Sequence, residues 1–314
     1  MQAEWNSLVK VTIQDFPDTP RTGDGLCREC YESCGPIGAR RKVPRISRLR
    51  ISGKSCPGCR TRLDFIAAAH RQDSRPISLT NPEDIRRSWV YWVNEYSRAK
   101  QDKNEEQATT LLSLIAFVQE LKKDEPLLGL WKDEIAEGLL WERGVWDEPA
   151  GRKRIAPFPS WTWMSLPGAV QYPNFCLESK EVELIHPRIC WSNQPLSSTL
   201  EIAELLLRGK VFKGTLTYHG RESHESSLYL DMGDSKVPLF ERVDIPDSYH
   251  DNTTVRLILV GGTAHHWFFL IACVVNPERN PYVRIGRAYS PCNRTFKKLK
   301  DHFATVDSQI FTLR

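Results

Sequence analysis

The sequence holds no run of the eighteen or so apolar residues that a membrane-spanning helix needs, and its longest apolar stretch, Trp267 to Val275, is strand-sized. A helical membrane protein is therefore not expected. The start, Met1-Gln2-Ala3-Glu4-Trp5, has neither the basic nor the apolar region of a secretory signal, so a reducing setting is expected, cytoplasmic first and nuclear second. In such a compartment nine cysteines do not read as a disulfide framework, and the sequons at Asn252 and Asn293 read as chance. A phosphate-cradling glycine loop, a Gly-x-Ser-x-Gly elbow, a His-Glu-x-x-His helix and a zinc-deaminase signature are also missing. Each of these places a nucleophile, a metal or a phosphate, and without them there is no enzyme class to name. The histidines do not replace them. His265 and His266 are adjacent and would face opposite sides of a strand, while His186, His219, His224 and His250 sit in polar surroundings.

What is present is enough for a real core. A chain near 300 residues buries roughly three quarters of its unfolded surface, and 40% hydrophobic with 26% charged residues is a globular balance. The stretch from Pro157 to Gly168, Pro-Phe-Pro-Ser-Trp-Thr-Trp-Met-Ser-Leu-Pro-Gly, is the most concentrated. Its prolines exclude a helix, so it reads as extended chain with Trp161 and Trp163 on one face, ended by a turn. Packing rather than ligand stacking is the expected role of these two indoles.

Before that stretch the pattern is helical. Asn81 reads as a cap, Pro82 as the first helical residue, and Ile85, Trp89, Trp92, Val93 and Tyr96 as one apolar stripe. A second helix carries Leu111, Leu114, Ile115, Val118 and Leu121 and stops at Pro126. Trp131, Ile135 and Leu139 mark a shorter third, expected to pack beside the others. After the tryptophans the period falls to about two. Strands are expected at 181–185, 205–212, 227–231, 255–260, 267–275, 282–288 and 308–313, with a short basic helix from Arg294 to Phe303. The run from Trp267 to Val275 should be a central strand covered on both faces, followed by a turn at Asn276 to Pro281.

The N-terminal part differs in composition. Between Ser33 and Leu63 there are nine basic residues and no acidic one, so the rest of the chain holds 34 basic against 39 acidic. Cys27-Arg28-Glu29-Cys30 and Cys56-Pro57-Gly58-Cys59 stand 25 residues apart. Two such pairs, Cys27, Cys30, Cys56 and Cys59, can give four thiolates to a structural zinc. The alternatives are free thiols, or a helix opening at Cys59 with Leu63 and Ile66 facing inward. The fold class expected is α+β: a cysteine-rich basic module at 1–75, a helical segment at 80–146, and a mostly antiparallel β domain at 155–314.

Several of these stretches occur together elsewhere. Trp89-Val90-Tyr91-Trp92-Val93-Asn94-Glu95-Tyr96-Ser97-Arg98, then Leu128-Gly129-Leu130-Trp131 with Gly138-Leu139-Leu140-Trp141, then Pro159 to Ser165, then Tyr282-Val283-Arg284-Ile285-Gly286-Arg287, resemble in order and spacing the region downstream of the core in fungal heterokaryon-incompatibility (HET-domain) proteins. The two Cys-x-x-Cys segments are similar to the leader many of those proteins carry. The family's α/β core, with its Leu-Ser-Tyr-x-Trp-Gly strand and Trp-Ile-Asp-x-x-Cys-Ile-Asn-Gln segment, does not occur here, as though the leader and the downstream region had been joined near Arg75 to Asn81. The resemblance implies a role tied to non-self recognition, without the activity of the core. The expectation is a non-enzymatic accessory or regulatory protein working through a protein partner, with Trp89, Trp131, Trp161 and Trp163 as structural core. The rival from another class is a zinc-stabilised nucleic-acid binder that uses the 33–63 segment, although no aromatic platform for bases lies between Arg40 and Arg62.

Overall fold

The computed structural model describes residues 81–99, 105–144, 154–155, 157–166, 168–173, 176–193, 199–218, 226–233, 235–244, 253–274, 281–290 and 295–314. The cysteine pairs, the 33–63 basic segment, the 276–280 turn, His219, His224 and His250 lie outside these residues. The chain forms two compact units, one reaching to Pro126 and including Trp191–Leu200, the other holding Leu127–Cys190 and Glu201–Arg314.

In the first unit, α1 (Pro82–Ala99) begins where the Asn81 side chain accepts the Glu83 N–H at 3.1 Å, leaving Pro82 at a position that needs no donor. Glu83 then pairs with Arg86 and Arg87, at 2.9 and 3.1 Å. Ile85, Trp89, Trp92 and Val93 are buried, and the rings of Trp89, Trp92 and Tyr96 stack in series. The buried Ser88 and Ser97 hydroxyls donate back to the Asp84 and Asn94 carbonyls, so neither is orphaned inside the helix. Helix α2 (Glu105–Lys122) buries Leu111, Leu114, Ile115, Phe117 and Val118 and ends at Lys123, whose φ of 59° is left-handed.

The second unit opens with a strap of short elements. Strands β1 (Pro126–Leu127) and β2 (Leu130–Trp131) form a two-residue hairpin in which Leu128 and Gly129 both have positive φ, the geometry of a type I′ turn. The third helix expected around Trp131 to Leu139 is a single turn, α3 (Ile135–Gly138). The hairpin takes up its first residues and Gly138 closes it, leaving too few residues to pay for helix nucleation. Strand β3 (Glu142–Arg143) pairs with β4 (Val170–Gln171). Between them the tryptophan stretch is not a strand. Thr162 is extended, but Trp163–Ser165 make one 3₁₀ turn, because the Thr162 and Ser165 hydroxyls bond the local backbone and hold it curled.

The rest is a ten-stranded sheet: β5 (Ser179–Lys180), β6 (Glu183–Trp191), β7 (Leu200–Gly209), β8 (Val211–Tyr218), β9 (Ser226–Asp231), β10 (Lys236–Val243), β11 (Thr253–Gly262), β12 (Trp267–Val274), β13 (Pro281–Tyr289) and, after helix α4 (Thr295–Ala304), β14 (Gln309–Leu313). The stretch read as one strand at 205–212 is the junction of β7 and β8. β10 was not anticipated. It pairs with β9 through residues 236–239 and with β13 through 240–243, so β8, β9, β10, β13, β12 and β11 close into a six-stranded antiparallel barrel. Among the pairings whose register is described, only β13–β14 is parallel.

Phe212, Leu216, Leu228, Leu230, Leu239, Leu257, Phe269, Ile271 and Ile285 fill the barrel, and α4 adds Leu299 and Phe303, the latter edge-on to Trp267 and Phe269. Fully burying each such side chain is worth about 1.5–3 kcal/mol. Ile258, Val260, Phe268, Leu270 and Ala272 are buried on the opposite face, which is why β11 and β12 read as continuous apolar runs. Gly286 lets the barrel close, since a Cβ there would stand 2.4 Å from the Arg242 carbonyl oxygen of β10. Among the described residues no helix is long and apolar enough to cross a membrane.

Candidate functional site

The densest concentration of buried polar groups lies in the second unit, where the strap meets the outer face of β13. Three indole N–H groups find carbonyl oxygens: Trp141 donates to Trp161 at 3.0 Å, Trp161 to Ala203 of β7 at 3.3 Å, and Trp163 to Gly129 at 2.9 Å. Thr162 Oγ1 donates to the Leu128 carbonyl at 2.5 Å. The 3₁₀ turn thus holds both residues of the type I′ turn, and Trp161 and Trp163 are 0% and 1% exposed. Trp131 is buried in the same unit and Trp89 in the other.

Sequence reasoning missed what these rings surround. Arg284 is fully buried, and its guanidinium lies 3.3 Å from the centroid of the Trp141 ring. Its Nη1 donates to the Leu139 carbonyl at 3.1 Å, and its Nη2 donates to the Trp141 carbonyl and to Asp244 Oδ1, the latter at 3.2 Å. Asp244 is itself buried and accepts Arg154 through Oδ2 at 2.8 Å. Arg154 also donates to Ser165 Oγ and to the Arg284 carbonyl, both at 2.9 Å. Beside this group Glu142 accepts from Arg287 through Oε2 and from Gln171 through Oε1, the second at 2.7 Å. The signal was in the sequence as two arginines within an apolar strand, Tyr282-Val283-Arg284-Ile285-Gly286-Arg287. What could not be read was that residues 244, 154 and 142 would arrive to neutralise them.

Arg154, Arg284 and Arg287 thus share two carboxylates. Burial pulls the Arg284 guanidinium down to about 10, with Asp244 working against that shift, so it stays charged at neutral pH. A group fixed as a cation cannot exchange protons in a reaction. The hydroxyls are committed too. Ser160 Oγ donates to the Arg314 main-chain oxygen and accepts the Arg284 N–H at 2.9 Å, while Ser165 Oγ donates to Thr162 at 2.8 Å and accepts Arg154. The arrangement is a rigid joint.

Elsewhere, His266 Nδ1 faces the Ser290 carbonyl at 2.6 Å, while the Ser290 hydroxyl accepts the Trp267 N–H, so these two do not form a nucleophile–base pair. His265 and His186 are exposed. Burial pushes the Cys273 thiol up, away from the reactive thiolate. Among the described residues no group of three or more His, Cys, Asp and Glu could hold a metal. No protein-family model, curated protein or solved structure matches the chain.

Proposed function

We propose that this chain is a non-enzymatic accessory or regulatory protein of the heterokaryon-incompatibility type, cytoplasmic, working through a protein partner in fungal non-self recognition. One observation supports the reading: three of the motifs behind the resemblance interlock in the second unit. Leu128–Trp131 with Gly138–Trp141, Pro159–Ser165, and Tyr282–Arg287 meet through the indole, Thr162 and Arg284 hydrogen bonds. Residues spent in this way make a scaffold that presents its surface to a partner. The test is co-expression with a death-triggering HET-domain protein in a filamentous fungus, followed by co-purification of the two. A partner that co-elutes, with altered onset of death, is expected. Unchanged death and no complex would overturn the reading.

The second reading, a zinc-stabilised nucleic-acid binder, is supported by the nine basic residues of 33–63 and by the Cys27, Cys30, Cys56 and Cys59 spacing. About one zinc per chain in the purified protein, lost with Cys56→Ser, is its expected outcome. A zinc-free, folded protein would remove it.

A further inference from the structure

The outer face of the barrel carries an aromatic band. Phe240 of β10 and Tyr289 of β13 are direct cross-strand partners with ring centroids 5.2 Å apart. Tyr289 is flanked on its other side by Phe268 of β12, its cross-strand partner, and meets the His266 ring edge-on at 5.6 Å. Tyr229 of β9 continues the band beside its partner Pro238. Phe240, Tyr289, Tyr229 and Pro238 line a groove of about 320 Å³ with Ser227, Glu241 and Arg242, while Phe268 is buried beside it. Phe240 is 54% exposed, an unusual position for a phenylalanine in the middle of a strand.

Cations stand at both ends of the groove. Two residues along the strands from Phe240 and Tyr289, Arg242 and Arg287 are again cross-strand partners. Arg287 is consumed by Glu142, whereas Arg242, with 57% of its side chain exposed, reaches Glu142 only at 4.0 Å. At the other end Lys236, 60% exposed, is 4.0 Å from Asp231. Glu142 and Asp231 are largely covered, at 9% and 21%, and Glu241 of the groove wall is half-buried, so the well-exposed charges at the two ends of the groove are the cations Arg242 and Lys236.

We infer that the face formed by β9, β10 and β13 is a stacking platform for single-stranded nucleic acid. Flat rings side by side on adjacent strands, with cations at strand spacing beyond them, suit bases laid across a sheet with their phosphates on the flanks. A duplex hides the faces of its bases and cannot use such rings. The inference goes beyond the partner-binding reading and does not rest on the 33–63 segment.

The test uses the full chain and fluorescein-labelled oligo(dT) and oligo(U) of about 16 nucleotides, the upper site size of small barrel binders, read by anisotropy at low salt against a duplex of equal length. Wild type is expected to prefer the single strands. Phe240→Ala should weaken binding about 5- to 100-fold, as loss of one stacked base does. Arg242→Ala should weaken it and lower the salt slope by about one. Phe240 is more than half exposed, so its truncation should leave the near-ultraviolet circular dichroism unchanged, and Ile185→Ser, an exposed change on β6, serves as control. Four results would overturn the inference: no binding at low salt, equal binding of duplex, unchanged affinity in Phe240→Ala, or capture of a proline-rich acidic peptide in place of the oligonucleotides. Loss of binding on neutralising Arg40, Arg41 and Lys42, with Phe240→Ala unaffected, would assign nucleic acid to the basic segment and likewise overturn it.

Discussion

Burying an arginine costs several kcal/mol unless its guanidinium is met, and Arg284 is met at both Nη atoms and one ring face by two carbonyls, a carboxylate and an indole ring, while its buried Nε makes no hydrogen bond. Lysine carries the same charge but lacks the planar fork, so it cannot reach Leu139, Trp141 and Asp244 together. Arg284→Lys is therefore expected to lower stability by about 2–4 kcal/mol, read as a fall in the denaturant midpoint. Gly129 is the second constrained residue. Its φ is 85°, and a Cβ there would come 2.7 Å from Trp163 Nε1. Gly129→Ala should cost about 1–3 kcal/mol in the same assay, whereas Gly233→Ala, also at positive φ but with open space around it, should cost only its backbone strain. At this scale the sequence was legible where a residue type has one habitual place. Tryptophans crowded between prolines are buried almost wherever they occur. The roles of Arg284, Asp244 and Arg154 depend on residues up to 145 positions apart, and a local pattern cannot bring those together.

Among the elements, α1 was the most legible because its signals are local: a capping asparagine, a proline that needs no donor, acids in the first turn and a helical stripe. Asn81→Ala should cost about 1 kcal/mol. Arg86 holds the Glu83 carboxyl below its ordinary value, with Arg87 adding to the effect. A depressed carboxylate contributes stability above its unfolded value near 4.5, and that contribution disappears as pH falls through the lower native value. Because Glu83 is partly exposed, its share is only about 0.5 kcal/mol. Glu83→Gln should be slightly less stable than wild type at pH 7 and match it at the acid end, and a gap that persists there would rule out the ion pairs as its origin. The tryptophan turn and β10 were less legible. Hydroxyls at Thr162 and Ser165 curl a segment whose prolines suggested extension, and Pro238 hides a strand that tolerates it because β9 is its only partner at that level.

At the scale of the molecule, the β character of the C-terminal half follows from its period-two pattern, but barrel closure does not. It depends on β10 changing partner halfway along its length and on Gly286 letting β13 approach Arg242 closely. Closure removes two sheet edges. Gly286→Val should reopen them, with faster amide hydrogen exchange at 240–243 and 286–289 than in the other barrel strands. The unit then rests on two devices, an apolar interior and the arginine joint that fastens the strap outside it.

The most direct test is a double-mutant cycle at that joint: Arg284→Met, Asp244→Asn and the pair, each unfolded in denaturant. If the cluster is structural, Asp244→Asn leaves the buried Arg284 without its carboxylate, and Arg284→Met leaves Asp244 with Arg154 alone and the Leu139 and Trp141 carbonyls without their donor, so each should cost about 3–5 kcal/mol, with a coupling of about 1–3 kcal/mol between them. Singles that unfold at the wild-type midpoint, or costs that simply add, would contradict the account.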